Sequence, residues 1–246
     1  MNFLFSSKSE LSELLPGMVD MHNHLLPGID DGAKSLEESI AMLKAYQHLG
    51  IRQVIASPHV MEGNYPNTPK TIAEALAKVQ KAIQQEGLEV QLIGAGAEYM
   101  LEQQFERLVQ QDILCSLDHK HLLVEMSYLQ APLNLEQLIF QVKHKGYTPV
   151  LAHPERYNFI KEPGAFKNLL DLGCQFQLNL LSLSQHYGAH VQQKAFRLLK
   201  DGSYRFVGTD AHHVKHLEKI GKITLKEKYS RLLRPLFQEN KEVFGV

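Results

Sequence analysis

The chain has 246 residues, 44% of them hydrophobic, which is enough for one α/β domain with a sizeable core. Its formal net charge of −1 at pH 7 predicts no broad attraction to nucleic acid or to an anionic membrane surface, so neither is expected as a partner. Two cysteines are too few for a disulfide framework, no stretch of about 18 apolar residues predicts a membrane span, and the N-terminus lacks the apolar core of a signal peptide, which together favour a cytoplasmic protein.

Short apolar runs alternate with helix-like segments along the chain. Ser35, with Glu38 three residues later, has the pattern of a capped helix start, and Gly50 and Gly87 act as stop signals after two helical segments. In chain order the sequence predicts a strand at 18–21, a helix at 35–48, a strand at 54–56, a helix at 68–86, a strand at 90–93, a weaker helix at 101–109, a strand at 121–125, a helix at 134–144, a strand at 148–151, a helix at 164–172, a strand at 175–178, a helix at 189–200, a strand at 205–207 and a last helix from about 225.

This alternation predicts a parallel sheet built from right-handed βαβ units. Seven such units without a Gly-rich dinucleotide-binding fingerprint favour a closed (β/α)7 TIM-like barrel of the α/β class over an open Rossmann sheet. The C-terminal ends of barrel strands meet at one rim, where the active sites of such barrels are built. Residues far apart in the chain can therefore contribute to one site.

Histidine and acidic residues recur at the ends of the predicted strands. The segment Asp20-Met21-His22-Asn23-His24 places two imidazoles on the same side of an extended chain. Further residues of these types follow later strands, namely His59, Glu98, Glu125, His153, Asp210 and His212. Each has a plain alternative as a polar strand end, a surface carboxylate or a loop cap, and a lone His-x-His is weak evidence for a metal. Their recurrence after six of the seven strands predicts a metal site.

The motif DMHNHLLPGIDDG at 20–32 resembles the opening motif of the PHP (polymerase and histidinol phosphatase) superfamily. More narrowly, it resembles that of the bacterial manganese-dependent protein-tyrosine phosphatases of capsule and exopolysaccharide operons. Later patches fit the same pattern in the same order: SPH at 57–59, GAEY at 96–99, HPERY at 153–157 and TDAH at 209–212. The resemblance implies a distorted PHP-type barrel with up to three metal ions, an N-terminal extension at 1–17 and a phosphatase domain at 18–246.

The resemblance also implies a set of metal ligands, which it distributes over three ions. The first ion would be held by His22, His24 and Asp210, the second by Glu125 and His153 with Glu98 bridging the two, and the third by Asp30, His59 and His212. Imidazole and carboxylate ligands suit Mn²⁺, Fe²⁺ or Zn²⁺. The resemblance favours Mn²⁺.

Other reactive side chains are interpreted as structural. Asp31 is one of them, and seven histidines are interpreted as surface or packing residues: His48, His119, His121, His144, His186, His190 and His216. A thiolate phosphatase needs a cysteine with an arginine six positions later, but Cys115 is followed there by His121 and Cys174 by Leu180. Both cysteines are therefore predicted to be small packed residues.

The function implied by the resemblance is hydrolysis of phosphotyrosine on the tail of a bacterial tyrosine autokinase that regulates polysaccharide synthesis. The nucleophile would be a hydroxide bridging two ions. Arg156 would contact the phosphoryl oxygens, and His212 is a candidate proton donor if it does not bind metal. Two alternatives stay open: a PHP phosphoesterase for a small metabolite such as histidinol phosphate, and an amidohydrolase-like metal hydrolase.

Two features depart from the family pattern. The chain carries 17 residues before the domain at 18–246, and the Phe-Leu-Phe stretch at 3–5 would either cover the bottom of the barrel or support a homo-oligomer. After His212 the pattern predicts an arginine, but the chain continues His213-Val214-Lys215-His216. Lys215 is a weaker substitute, because an ammonium cannot make the bidentate contact of a guanidinium.

Overall fold

The structure is a computed structural model that describes residues 8–161 and 163–246. Its strands are β1 (Lys8–Glu10), β2 (Val19–Asp20), β3 (Gln53–Ala56), β4 (His59–Val60), β5 (Gln91–Ala95), β6 (Glu98–Met100), β7 (His121–Glu125), β8 (Thr148–Ala152), β9 (Gln175–Asn179), β10 (Phe206–Gly208) and β11 (Thr224–Lys226). Its helices are α1 (Leu36–His48), α2 (Pro69–Glu86), α3 (Gln103–Gln111), α4 (Leu135–His144), α5 (Pro163–Asp171), α6 (Ala189–Lys200), α7 (Val214–Gly221) and α8 (Glu227–Phe244).

Parallel strands form two sheets at the centre of the fold, in the orders β2-β3-β5 and β4-β6-β7-β8-β9-β10. The predicted second and third strands are each split, so that the chain leaves the small sheet after β3 or β5 and joins the large sheet as β4 or β6. Pro58 lies at the first break, where it has no N–H to offer a ladder. The two splits account for the distortion of the barrel.

The first and last parallel strands meet beyond their C-terminal ends. The Asp210 amide donates to the His22 carbonyl over 2.8 Å, and Asn23 pairs with Ala211 in a parallel bridge. At the opposite end, the Asn240 side chain from α8 donates to the carbonyls of Val19 and Val207. These contacts join β2 to β10, and the predicted distorted (β/α)7 barrel is confirmed.

The helix signals read from the sequence are confirmed locally. The Ser35 hydroxyl accepts a hydrogen bond from the Glu38 amide at 3.4 Å, although the Glu38 carboxylate accepts from the Lys34 amide instead of completing the box on Ser35. Gly50 and Gly87 adopt φ of 76° and 62°, the left-handed conformation that glycine tolerates after a helix. The sequence prediction lacked α7 and the two outer strands β1 and β11, which are too short for a clear periodicity.

The described part of the N-terminal extension belongs to the body of the fold. Strand β1 pairs antiparallel with β11, and Leu11 and Leu15 are fully buried in the core between the barrel and its helices. The prediction for the Phe-Leu-Phe stretch at 3–5 lies outside the described residues. No helix within 8–161 and 163–246 has the length and apolar character needed to cross a bilayer.

Candidate metal centre

One group of buried side chains lies where the ends of β2 and β10 meet. His22, His24 and Asp210 are at most 2% exposed, and the Nε2 atoms of the two histidines lie 3.5 and 3.4 Å from the same Asp210 oxygen, Oδ1. The other ring nitrogens have protein acceptors. The Nδ1–H of His22 donates to Gln177 Oε1 and that of His24 to Asp30 Oδ2, both over 2.8 Å. These bonds place a proton on Nδ1 of each ring and direct both Nε2 atoms into the group.

Glu98 connects this group to a second one. Its Oε2 lies 3.2 Å from His22 Nε2 and 3.1 Å from His59 Nδ1, while its Oε1 lies 3.1 Å from His153 Nε2. Glu125 Oε1 is also 3.1 Å from His59 Nδ1. A carboxylate at this position can offer one oxygen to each of two neighbouring cations.

Three atoms at the centre of the second group test whether a cation fits. His59 Nδ1, Glu98 Oε2 and Glu125 Oε1 are buried and make no hydrogen bond to any described residue, yet they lie within 4.8 Å of one another. Buried polar atoms are almost always paired in proteins, so an unpaired group of this kind needs an explanation. Nitrogen and carboxylate donors converging on one point suit a divalent transition metal.

A third group lies at the edge of the barrel mouth. Asp31 Oδ1 is 3.5 Å from His59 Nε2 and 3.4 Å from His212 Nε2, and the His24 and His212 rings stack with centroids 4.0 Å apart. The Nδ1–H of His212 donates to the Asp210 carbonyl over 3.0 Å, which leaves Nε2 as the atom that could bind a cation. A histidine arranged in this way is better placed to bind metal than to donate a proton.

The resemblance implied that Asp30 is a ligand of the third ion, but its carboxylate is not among the atoms that converge in the third group. Both of its oxygens are occupied, since Oδ2 accepts from His24 Nδ1 and the His59 amide, and Oδ1 accepts from the Gly32 amide at 2.9 Å. Asp31, interpreted from the sequence as structural, faces the third group instead. A Cβ on Gly32 would lie 1.9 Å from the His24 carbonyl oxygen, so the chain packs too tightly there for any other residue. From sequence alone the two adjacent carboxylates are indistinguishable.

The remaining eight predicted ligands all lie in the three groups. These contain four clusters of close ligand atoms: His22–His24–Asp210 in the first group, His22–Glu98–His153 and His59–Glu98–Glu125 in the second, and His24–Asp31–His59–His212 in the third. The sequence analysis missed the residues that support them. Gln177 orients His22, and the buried Asp20 accepts hydrogen bonds from Tyr46 and Thr209 at 2.6 Å each, which links β2 to the end of β10. Asp20 is the first residue of the motif at 20–32. Its spacing in the sequence did not indicate that it supports the proposed ligands through hydrogen bonds instead of binding a cation itself.

Two of the residues in these groups have a backbone conformation that is unusual for their type. His153 and Asp210 adopt φ of 38° and 49°, in the left-handed region that non-glycine residues rarely visit. Such a conformation costs on the order of 1–3 kcal/mol and is found mostly at functional sites. In both cases it turns a side chain inward at the end of a barrel strand.

The buried imidazoles and carboxylates stabilise one another's charged forms. Burial disfavours the charged form of His22, but the carboxylates of Glu98 and Asp210 outweigh it and raise its pKa to about 9. Burial would raise the pKa of Glu98, yet His22 and His59 hold it well below its usual range. Protons on imidazoles therefore compensate the carboxylates, and divalent cations can take the place of those protons.

Arg156 lies at the mouth of the barrel beside a cleft of about 610 Å³. Its Nη1 donates to Asp210 Oδ2 over 2.9 Å, and its Cζ carbon lies 4.7 Å from the ring centroid of Tyr128 and 4.2 Å from that of Tyr187. His213 and His216 also line the cleft, whereas Lys215 is exposed and does not. His216, which the sequence analysis interpreted as a surface or packing residue, therefore forms part of the cleft wall.

Both cysteines are unsuited to thiolate chemistry, as the spacing argument predicted. Cys174 is buried, which raises the pKa of its thiol to about 12. Burial also raises the pKa of Cys115. Neither residue lines the cleft.

Known proteins resemble the chain over most of its length. Residues 18–242 match the family described as capsular polysaccharide synthesis, CpsB/CapC. The tyrosine-protein phosphatase YwqE of Bacillus subtilis (strain 168) is 35% identical over 200 residues, which cover 80% of this chain and 78% of YwqE. The tyrosine-protein phosphatase CpsB of Streptococcus pneumoniae is 27% identical over 234 residues, with coverage of 91% and 96%.

Solved structures show the same relationship. A structure from work on YwqE of Bacillus subtilis and CpsB of Streptococcus pneumoniae, described as unique metal-dependent tyrosine phosphatases, superposes with a TM-score of 0.81 at 30% identity, covering 92% of this chain and 94% of the other. A histidinol phosphate phosphatase from Lactococcus lactis subsp. lactis, complexed with zinc, L-histidinol and phosphate, gives a TM-score of 0.53 at 13% identity, covering 91% and 94%. The second likeness concerns the fold alone.

Proposed function

The chain belongs to the CpsB/CapC family of capsular polysaccharide synthesis, and from this membership we propose that it is a metal-dependent protein-tyrosine phosphatase. The observation that carries the proposal is the convergence of histidine and carboxylate side chains with Arg156 at one end of the barrel, beside an open cleft. That arrangement provides both a place for cations and a guanidinium for a phosphoryl group.

The ligands we propose follow the three groups of side chains. His22, His24 and Asp210 would hold one ion, Glu98 would be shared, and His153, Glu125 and His59 would hold the second. Asp31, His59 and His212 would hold a third, with Asp30 orienting His24 and supporting His59 from behind. These donors suit Mn²⁺, Fe²⁺ and Zn²⁺ alike. We propose Mn²⁺, which the resemblance of the motifs to manganese-dependent phosphatases favours.

When bound, such ions supply Lewis acidity that activates water at neutral pH and polarises phosphoryl oxygens. The chain itself would bind the substrate through Arg156, whose guanidinium can offer further N–H donors to phosphoryl oxygens as negative charge develops on them. Asp210 fixes that guanidinium over 2.9 Å. A tyrosine phenol, with a pKa of about 10, leaves more readily than an alkyl alcohol, so the reaction needs little help from a general acid.

The substrate we propose is a phosphotyrosine on a protein, and specifically the tail of a bacterial tyrosine autokinase in a capsule or exopolysaccharide system. Support comes from the name of the matched family and from the open cleft, which leaves room for a peptide. Such a tail is reached from the cytoplasm, where we place this protein.

An assay of the purified protein tests the function directly. We expect a phosphotyrosine peptide to be hydrolysed far faster than a phosphoserine peptide, histidinol phosphate or a dipeptide, and the activity to disappear with chelator and return with Mn²⁺. A preference of about tenfold or more for histidinol phosphate would overturn the tyrosine substrate. Full activity in a preparation with negligible metal content would overturn the metal centre.

A further inference from the structure

The guanidinium of Arg156 is held by more than one partner. Its Cζ lies 4.7 Å from the centroid of the Tyr128 ring and 4.2 Å from that of Tyr187, and its Nη1 donates to Asp210. Cation–aromatic contacts at these distances are attractive and restrict the orientation of a side chain that otherwise has many rotamers. The two rings come from separate loops, after β7 and before α6.

The remaining donors of Arg156 are free to bind a ligand. A guanidinium carries five N–H donors, and within residues 8–161 and 163–246 only Nη1 has a side-chain or backbone acceptor. Arg156 lines the cleft, with its side chain 19% exposed, together with both tyrosines and the metal-binding residues Glu125, His153 and His212. Its unused donors are therefore at the place where a phosphoryl group would bind.

Tyr187 and Asp210 are fixed by the same amide. Asn179 Nδ2 donates to Asp210 Oδ2 over 2.7 Å and to the Tyr187 hydroxyl over 3.2 Å, and its backbone N–H donates to the buried carboxylate of Glu155 over 3.0 Å. Tyr128 differs from Tyr187 in this respect. Its hydroxyl makes no hydrogen bond to any described residue, so only its ring contributes to the contact with Arg156.

We propose that Tyr128 and Tyr187 are positioning residues that hold Arg156 in the orientation that presents its free N–H donors to the phosphoryl group. This inference rests on the proposed phosphatase function. It predicts that Tyr128 acts only through Arg156, because its ring is needed for stacking and its hydroxyl is not. The two tyrosines reduce the entropy that an arginine loses when it binds an anion.

Substitutions at Tyr128 separate the ring from the hydroxyl. Tyr128→Leu is expected to lower kcat/KM for a phosphotyrosine peptide about tenfold, the factor that about 1.4 kcal/mol represents, and to weaken competitive inhibition by inorganic phosphate. Tyr128→Phe should keep kcat/KM within about twofold of the parent protein. The matched control is Tyr229→Leu, which removes a ring stacked on Phe196 outside the cleft and should leave both constants unchanged.

A double-mutant cycle then tests whether Tyr128 acts through Arg156. In an Arg156→Ala background, Tyr128→Leu should cause no further loss of kcat/KM, because the group that it positions is gone. An equal tenfold loss in both backgrounds would overturn the proposal and indicate that Tyr128 acts on the substrate directly or through His153, whose ring centroid lies 6.0 Å from its own. Equal loss in Tyr128→Phe and Tyr128→Leu would also overturn it.

A spectroscopic measurement provides a readout apart from turnover. In ¹⁵N-labelled, Zn²⁺-loaded protein the Nε–H resonance of Arg156, assigned through Arg156→Lys, should be shifted by the two rings. The shift should move toward that of a free arginine in Tyr128→Leu and persist in Tyr128→Phe. An unchanged resonance in Tyr128→Leu contradicts the positioning role. If the parent protein hydrolyses no phosphotyrosine, the proposed function fails while the resonance still reports on the contact.

Discussion

The inner and outer parts of the candidate metal centre contain the same kinds of proposed ligand but differ in their exposure to solvent. The inner cluster of His22, His24, Glu98 and Asp210 is at most 2% exposed. In the outer cluster of Asp31, His59 and His212, the Asp31 side chain is 47% exposed and that of His212 is 19% exposed. The inner histidines are oriented by buried hydrogen bonds that they donate to Gln177 and Asp30, whereas Asp31 lies beside His59 and His212 with its side chain about half exposed to solvent.

This difference in exposure indicates that cations would be bound differently by the two clusters at the mouth of the barrel. Inner ligands with fixed tautomers and no access to water favour cations that are held tightly and released slowly. Outer ligands at the cleft favour a cation that exchanges with solvent and faces the substrate. We therefore expect substitutions in the inner cluster to abolish function, and substitutions in the outer cluster to change the metal concentration that function requires.

The largest effect is expected from Glu98→Gln, which keeps the shape of the side chain but removes the charge shared between two groups. We expect kcat/KM to fall by about 10³-fold or more, together with loss of bound metal measured by elemental analysis. Glu102→Gln is a suitable control, because that carboxylate lies outside the three groups. If Glu98→Gln retained full metal content and activity, Glu98 would not be a metal ligand.

Asp31→Asn in the outer cluster and Asp30→Asn behind the inner cluster form a matched pair. Asp31→Asn should raise the Mn²⁺ concentration needed for half-maximal activity by about 10–100-fold, with little change in the thermal stability of chelator-treated protein. Asp30→Asn should lower that stability, because the pKa of the Asp30 carboxyl is held down by His24 despite burial and the buried charge pair would be lost. Both quantities are measured by titrating activity with Mn²⁺ and by thermal melts. If Asp30 were the ligand, Asp30→Asn would raise the required Mn²⁺ concentration and Asp31→Asn would not.

A smaller effect is expected in the pH dependence of stability, which reports on the protonation of the inner cluster. Burial alone would lower the pKa of His22, but Glu98 and Asp210 raise it from 6.5 to about 9 in the absence of metal. A raised pKa means that the imidazolium stabilises the fold below pH 6.5 and that this contribution is lost as the pH rises through 9. Chelator-treated protein should lose roughly 2–3 kcal/mol of unfolding free energy over that range, and His22→Gln should lose less.

Urea denaturation at each pH measures this slope. Apparent metal affinity should change in the opposite direction and rise with pH, because binding displaces the proton from His22. If the stability of the chelator-treated protein increased between pH 6.5 and 9, this result would contradict the assignment of the protons to the inner cluster.

The smallest effect is expected where neither cluster is touched. Cys115→Ala combined with Cys174→Ala should leave kcat within about twofold, since both thiols have raised pKa values and lie away from the cleft. A large loss of activity on the phosphotyrosine peptide would instead support a thiolate mechanism. Cys174→Ala leaves a small cavity, so thermal melts should accompany the assay.

Much of the fold was predictable because its signals are local. Hydrophobic runs, the Ser35 cap and the stop at Gly87 predicted the strands and helices to within a few residues. The splitting of two strands was not predictable, since it depends on which neighbour each half pairs with. The short helix α7 was missed because its eight residues follow directly on the motif at 209–212.

The sequence by itself determined the order of strands and helices and the kinds of ligand at the strand ends. Both follow from periodicity and from the rule that parallel strands end at one rim. Only the tertiary structure decided that Asp31 faces the mouth while Asp30 lies beneath His24, and that Tyr128 and Tyr187 hold Arg156. These choices depend on contacts between residues distant in sequence, such as Gln177 with His22 and Asn179 with Asp210, and no local pattern records them.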